Sequence, residues 1–518
     1  MPTYLSPGVY VEEVEAGSRP IEGVGTAVAA FVGFAERGPF DEPTLVTNWS
    51  QYTQKFGEFV EGTYLAHAVY GYFANGGGAA YIVRVGDDGS GQNGDRKALP
   101  SGAREAMLAG YRVAELPGST PKGDITVEVG PAVPAEGAAA PAEDAFTLVV
   151  RVGGKVAETF ENVTTKRGKE NIVTVVRERS KLVTVEEVAT GAELTKPEAG
   201  SVTLAASATP PAVPDRVSSD DYVGAVSDRT GFSALEAIDD VTMVAVPDLM
   251  SAYQRGAIDL DGVQAVQSAI ITHCELAGDR MAILDAPPGL SPQQVKEWRM
   301  EKAGYDSKYA ALYYPWIKAY DPTTKRNISL PPSGHMAGIW ARNDDTRGVH
   351  KAPANEVVRG AIALDTQLTK AEHDLLNPVG VNCIRAFPGR GIRVWGARTM
   401  SSDPAWRYLN VRRLFNYLEE SILDGTQWVV FEPNDDALWA RIRRTVAAFL
   451  VNEWRKGALF GLTPDEAFYV KCDRETNPAE SIDAGQVLCE VGVAPVKPAE
   501  FVVFRLAQFS GGTSLVSE

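Results

Sequence analysis

The 518-residue sequence predicts an α/β fold, α+β overall, and three observations carry that reading. Continuous apolar runs at 28–34, 241–246 and 281–284 have the character of strands buried on both faces of a parallel sheet. Between them apolar residues recur at helical spacing, as in Leu65, Val69, Tyr72 and Phe73, or Val263, Val266, Ile270 and Cys274. Residues 87–221 differ: they alternate with period two and hold three aromatics, Tyr111, Phe146 and Phe160.

In chain order, residues 1–20 read as an arm. Ser6-Pro7-Gly8 is a turn signal, Val9, Tyr10 and Val11 a short strand, and Glu12, Glu13 and Glu15 add charge. Such a strand must pair with an edge in its own chain or in another. An α/β core then spans 21–86 and resumes over 222–375, interrupted by a β-rich insertion at 87–221. Its first part holds strand 28–34, a helix over 63–75 ended by Gly76-Gly77-Gly78, and strand 80–85. In the insertion, 125–129, 146–152 and 155–160 alternate as strands, with Gly153-Gly154 as a tight hairpin turn. Segments 172–176 and 182–188 alternate in the same way. The resumed core forms a βαβ unit, which favours a right-handed crossover. Ser291-Pro292-Gln293-Gln294 then opens a helix with a capping box, and 310–317 is a further strand. A C-terminal domain is expected over 376–497, with a hairpin around Pro388-Gly389-Arg390-Gly391. Asp403-Pro404 opens a helix carrying Trp406, Leu409, Leu414, Leu418 and Ile422, and a second helix holds Leu438, Ile442, Val446, Phe449 and Leu450. Thr463-Pro464 opens a third, a strand follows at 490–493, and a second arm at 498–518 carries Phe501, Val502, Val503 and Phe504.

The chemistry of known sites is mostly absent. A formal charge of −17 argues against a nucleic-acid coat and against docking on anionic membranes. Cys274, Cys383, Cys472 and Cys489 form no CxxC pair, and the five histidines are too far apart for one helix to supply two metal ligands. Asn343-Asp344-Asp345-Thr346-Arg347-Gly348 resembles half a calcium loop, but Arg347 stands where an oxygen ligand belongs. There is no phosphate loop, no GxGxxG after a strand, no GxSxG and no HExxH, so neither cofactor nor metal is expected. No secretory signal opens the sequence and the longest apolar segment, 26–35, is half a membrane span, so a cytoplasmic origin is expected. An enzyme reading rests on Asp248 and Asp285, which follow strands at the sheet edge where α/β active sites form. Aspartates beside turn formers such as Pro287-Pro288-Gly289 also cap turns. One charge feature stands out: Arg441, Arg443, Arg444, Arg455 and Lys456 on one helix, with Arg412 and Arg413 on the helix before. A basic face on an acidic chain points either to an acidic partner or to a solvated helix face, since Arg and Lys are good helix formers.

The opening SPGVYVEEV resembles that of contractile tail sheath proteins. So do AVAAFVGFAERGP at 27–39, PPSGHMAGIWARNDDTRGVHKAPAN at 331–355 and LNPVGVNCIRAFPGRGIRVWGART at 376–399. WRYLNVRRLFNYLEESI at 406–422, FEPNDDALWARIRRTVAAFLVNEWRKGALFG at 431–461 and GVAPVKPAEFVVFR at 492–505 continue the family's order. The resemblance implies a non-enzymatic structural subunit, stacked as hexameric rings in a helical sheath around an inner tube, with baseplate and tail terminator proteins at the ends. It implies that Val9, Tyr10 and Val11, and Phe501 to Phe504, add as strands to neighbouring copies. It further places Arg441, Arg444, Arg455 and Lys456 toward an acidic tube surface and 87–221 outward. The particle would be a phage tail or a phage-tail-like injection device, with no nucleic acid bound and no membrane insertion by this chain.

Overall fold

The computed structural model describes residues 20–86 and 216–506 and, between them, 104–108, 111–116, 124–132, 144–166, 168, 170–187, 196–197, 199–206 and 214. The first arm, with Val9, Tyr10 and Val11, lies outside the described residues.

Eight strands build the central sheet: β1 (Val28–Gly33), β2 (Thr44–Val46), β3 (Ala79–Arg84), β4 (Met243–Ala245), β5 (Met281–Asp285), β6 (Ala310–Tyr314), β7 (Val381–Phe387) and β8 (Gly391–Val394). Their spatial order is β8-β7-β6-β5-β4-β1-β3-β2. The inner six run parallel, and β2 and β8 close the edges antiparallel. The apolar run of β1 serves two faces. Ala29 and Phe31 turn to one, Ala30 and Val32 to the other, and all four are buried. Helices α1 (Leu65–Asn75) and α3 (Ser333–Arg347) cover the first face through Val69, Tyr72, Met336, Ile339 and Trp340. Helix α2 (Leu260–Ala277) covers the second through Val263, Val266, Ile270 and Cys274. Fully burying a side chain such as Phe31 contributes about 2–3 kcal/mol, so both faces stabilise this three-layer core. Gly334 and Gly338 lie one turn apart and let α3 approach α1. A Cβ at Gly334 would lie 2.4 Å from Ala68 Cα, and one at Gly338 2.4 Å from Tyr72 O.

Strand 310–317 of the sequence reading ends early. β6 stops at Tyr314, and beyond Pro315, which has no N–H for a ladder, Ile317–Asp321 pairs antiparallel with Arg326–Leu330 in a separate sheet. β7 and β8 fall within 376–497, the segment assigned to the C-terminal domain, yet their ladders join them to the core sheet.

The insertion holds two four-stranded antiparallel sheets around one core that includes Tyr111, Phe146, Leu148 and Phe160. Gly153 and Gly154, at φ 55° and 79°, make the tight turn between Phe146–Val152 and Lys155–Val163. Residues 172–176 do not form a strand; Ile172–Arg179 is a helix. Asn171 Oδ1 accepts from Val173 N at 2.9 Å and caps it, and Ile172 and Val176, one turn apart, share the buried side. An apolar run this short satisfies either period, and the cap decides.

Past the sheet, helices α4 (Leu409–Gly425) and α5 (Asp436–Arg455) pack with the hairpin Phe468–Lys471/Glu490–Val493 around Leu414, Leu418, Trp439, Val446, Phe449 and Leu450. Asp403 caps a separate 3-10 turn, Pro404–Trp406, through Ala405 N at 2.8 Å, so Trp406 precedes α4. The helix after Thr463 is one turn, Pro464–Ala467, because the chain is recruited directly into the hairpin.

Candidate assembly surface

The strand order reverses between β4 and β1, and the crevice beyond such a reversal is where doubly wound sheets hold ligands. Asp248 fills it. Its carboxylate accepts from Phe34 N at 2.7 Å, Leu65 N at 3.2 Å and Tyr64 N, so it closes β1 and caps α1 at once. Gly33 leaves room for it: a Cβ there would lie 2.5 Å from Asp248 Oδ2. Asp285, at the end of β5, accepts from Ser333 N at 2.9 Å and caps α3. Burial pushes Asp248 up to about 6 and Asp285 up to about 7, against the hydrogen bonds that favour their charged forms. The cavity beside Asp285 is about 10 Å³, room for one water. Both carboxylates therefore act as internal helix caps.

The calcium-like segment lies in α3, and Asp344 there pairs with Arg413. Among the described residues, no three His, Cys, Asp or Glu side chains gather as metal ligands. His67, His273 and His335 are buried inside helix packing, and desolvation pushes each down to about 4. None of the three is a surface histidine.

The basic stretch divides by helix. Arg412 and Arg413, expected on the same face as the α5 cations, are buried. Arg412 lies over Tyr309 and Trp406, at 4.9 and 4.5 Å, and pairs with Glu419 at 3.0 Å. Arg413 binds Asp344 and the Thr26 carbonyl, tying α4 to α3 and to the approach of β1. On α5 the cations are more open. Arg441 pairs with Glu432 at 2.9 Å and stacks over Trp428 at 4.6 Å. Lys456 pairs with Glu453 at 2.8 Å. Arg444 and Arg455 are exposed, and Arg444 Nε donates back to the Ala440 carbonyl at 3.3 Å. The loop before α5, which meets Arg441 through Trp428 and Glu432, carries exposed Val430 and a wholly exposed Phe431 with φ 68°. The run Val429-Val430-Phe431 was the sequence signal for that apolar tip, and sequence reasoning passed over it.

The C-terminal arm leaves from a fixed root. Glu500 accepts from Arg398 Nε at 2.9 Å, Arg398 NH2 at 2.6 Å and Asn377 Nδ2 at 2.8 Å. Burial, the largest single influence, would raise Glu500, but the hydrogen bonds from Arg398, Asn377 and Tyr408 and the Arg398 charge together outweigh it and hold it below the ordinary carboxylate range. Beyond that root Phe501, Val502, Val503, Phe504 and Leu506 are 68–98% exposed, an apolar stretch with no ladder to any described strand. The hairpin Phe468–Lys471/Glu490–Val493 is also open: among the described residues each strand has one ladder partner, and Tyr469 is exposed.

Residues 219–400 match the family model described as the phage tail sheath protein central domain, and residues 401–509 that of the phage tail sheath C-terminal domain, together more than half of the chain. The chain belongs to the phage tail sheath family. The boundary between the two matches falls after β8 has closed the central sheet and before α4 begins. The tail sheath protein of Burkholderia phage BcepMu is 24% identical, over 96% of this chain and 95% of its own length. That of Vibrio phage KVP40 is 25% identical over 51% of this chain, which spans 40% of that longer relative. The helical sheath of the anti-feeding prophage (AFP) in its contracted state shares the fold, with a TM-score of 0.60 and 23% identity over 98% of this chain and 100% of that one. For a tail sheath subunit, the surfaces that matter are those that meet other chains. Among the described residues, this chain leaves open the unladdered arm, the two-stranded hairpin and the exposed side of α5. Glu500, the anchor of the arm, was not singled out in the sequence, because its partners Asn377 and Arg398 lie more than a hundred residues away.

Proposed function

We propose that this tail sheath chain polymerises helically, as hexameric rings around an inner tube, and contracts to drive that tube through a target envelope. The arm beyond Glu500 carries the reading. An extended apolar segment and an unfinished sheet each present unpaired backbone N–H and C=O groups, and pairing one with the other across copies satisfies both. Val9, Tyr10 and Val11 are assigned the same role in the other arm, as Phe501, Val502, Val503 and Phe504 are here. The giving and receiving surfaces differ, so the contact is head-to-tail and propagates instead of closing on a dimer.

Arg441, Arg444, Arg455 and Lys456 are assigned to an acidic tube surface. Arg444 and Arg455 are exposed for it, and Arg441 and Lys456 would exchange Glu432 and Glu453 for tube carboxylates. Exposed ion pairs contribute about 0–1 kcal/mol each, which suits a grip that has to release. Work then comes from assembly: an extended lattice held by a kinetic barrier gives up a few kcal/mol per subunit as it compacts. No catalytic step, cofactor or nucleic acid is assigned, and Asp248 and Asp285 serve as caps. Baseplate and terminator proteins are the expected end partners, in a phage tail or phage-tail-like particle assembled in the bacterial cytoplasm.

Electron microscopy of the purified chain, alone and with its tube partner, tests the reading. The full chain is expected to form rings or tubes. Deletion of residues 1–15 is expected to leave a folded subunit that forms neither. Long sheaths from the truncated chain would refute the arm assignment.

A further inference from the structure

The C-terminal hairpin ends on two thiols that no assembly role uses. Its register runs from Phe468 opposite Val493 to Lys471 opposite Glu490, so the next step sets Cys472 opposite Cys489. At the other end Ala494 N donates to Ala467 O at 2.8 Å, which makes 467/494 a hydrogen-bonded pair. Pair types alternate along an antiparallel ladder. Counting from 467 to 472, the cysteines fall at a non-hydrogen-bonded position, where facing Cα atoms approach to about 4.5 Å. A disulfide needs a Cα separation of about 4.4–6.8 Å. The two side chains share the inward face with Phe468, Val470 and Val493, against the core under α5, and each thiol is near enough to shift the other's titration. Asn477 Nδ2 approaches Cys472 Sγ at 3.8 Å, and Arg443 donates to the Cys472 carbonyl. Cys472 is wholly buried and Cys489 half-buried, so one thiol is reachable and the other waits behind it. Cys274 and Cys383 belong to the core against the central sheet instead.

We propose that Cys472 and Cys489 are an oxidative modification site, forming an intrachain disulfide with a low-molecular-weight disulfide such as oxidised glutathione as oxidant. The Cys489 thiolate attacks one sulfur of the oxidant, whose S–S bond breaks and releases one glutathione thiolate. Cys472, as thiolate, then attacks Cys489 Sγ and expels the second. Two protein thiols are oxidised, one disulfide is reduced to two thiols, and the protons end on glutathione. Burial pushes the Cys489 thiol up to about 12, so exchange is slow near neutral pH and quickens as pH rises. The product staples the hairpin and closes the loop over 473–488, which restricts the unfolded chain. A particle passing from a reducing cytoplasm to an oxidising medium meets that change of conditions. The inference goes beyond the assembly reading and stands without it.

The test is incubation of the folded full chain with oxidised glutathione at several pH values, followed by alkylation before denaturation and non-reducing peptide mapping. A peptide cross-linked through Cys472 and Cys489 is expected, formed faster at higher pH, with Cys274 and Cys383 recovered as thiols. The oxidised chain should melt higher than the reduced one, and added dithiothreitol should abolish the difference. In Cys472→Ser, Cys489 should accumulate as the mixed disulfide with glutathione. Recovery of Cys472 and Cys489 as free thiols throughout, or of a stable glutathione adduct on Cys489 in the unmodified sequence, overturns the proposal.

Discussion

Single residues in this chain hold elements together more than they present chemistry. Asp248 is the clearest: three backbone N–H groups from two elements converge on one buried carboxylate. Gly33→Ala sets a methyl against that carboxylate and is expected to cost about 1–3 kcal/mol, read as a lower urea midpoint. Asp248→Ala orphans the donors and is expected to cost about 3 kcal/mol or more. The buried titrating groups also oppose each other in acid. His67, His273 and His335, pushed down to about 4 from 6.5, stay neutral in the fold; the unfolded chain takes up their protons first, so stability falls as pH drops through 6.5 toward 4. Asp248 and Asp285, pushed up to about 6 and about 7 from 3.8, bind protons more readily when folded, so their contribution is lost as pH rises through those values. Between pH 7 and pH 5, Asp248→Asn should therefore lose more stability than the parent, and His273→Gln less. Urea midpoints at the two pH values check both signs; equal losses in all three proteins would contradict them.

Elements were legible wherever period and cap agreed. The strands at 28–34 and 281–284, the helix opened by Ser291 and the long helix α5 stand where spacing puts them. They differ where a local signal was ambiguous or a distant partner decided. Ile172–Arg179 is helical because Asn171 caps it, and Arg412 and Arg413 turn inward because Tyr309, Trp406, Glu419 and Asp344 wait there. A heptad of basic residues does not tell which of them finds an internal carboxylate. The arm is the element with most consequence, and its root is testable. Glu500→Ala leaves Arg398 short of its partner and is expected to loosen residues 498–506 by up to ~3 kcal/mol, seen as faster hydrogen exchange there with the central sheet unchanged.

At the scale of the molecule, a three-layer core carries a C-terminal region whose hairpin and arm have no further ladder partner among the described residues. That division predicts separable defects. Reversing Arg441 and Arg444 to Glu should weaken co-purification with the inner tube several-fold while sparing self-assembly, because neither side chain supports the α5 core face of Leu438, Ile442, Val446 and Phe449. Unchanged co-purification would remove both from the tube surface. The sequence alone determined the α/β class, the order of most elements and the family, since hydrophobic period, turn residues and contiguous motifs are local and survive without coordinates. Tertiary structure alone decided which charges are buried, that β7 and β8 complete the core sheet, that Asp248 occupies the crevice an active site would use, and that Glu500 anchors the arm. Each of those depends on residues far apart in sequence meeting across the packed interior, where burial and partner geometry set the outcome and no local pattern records it.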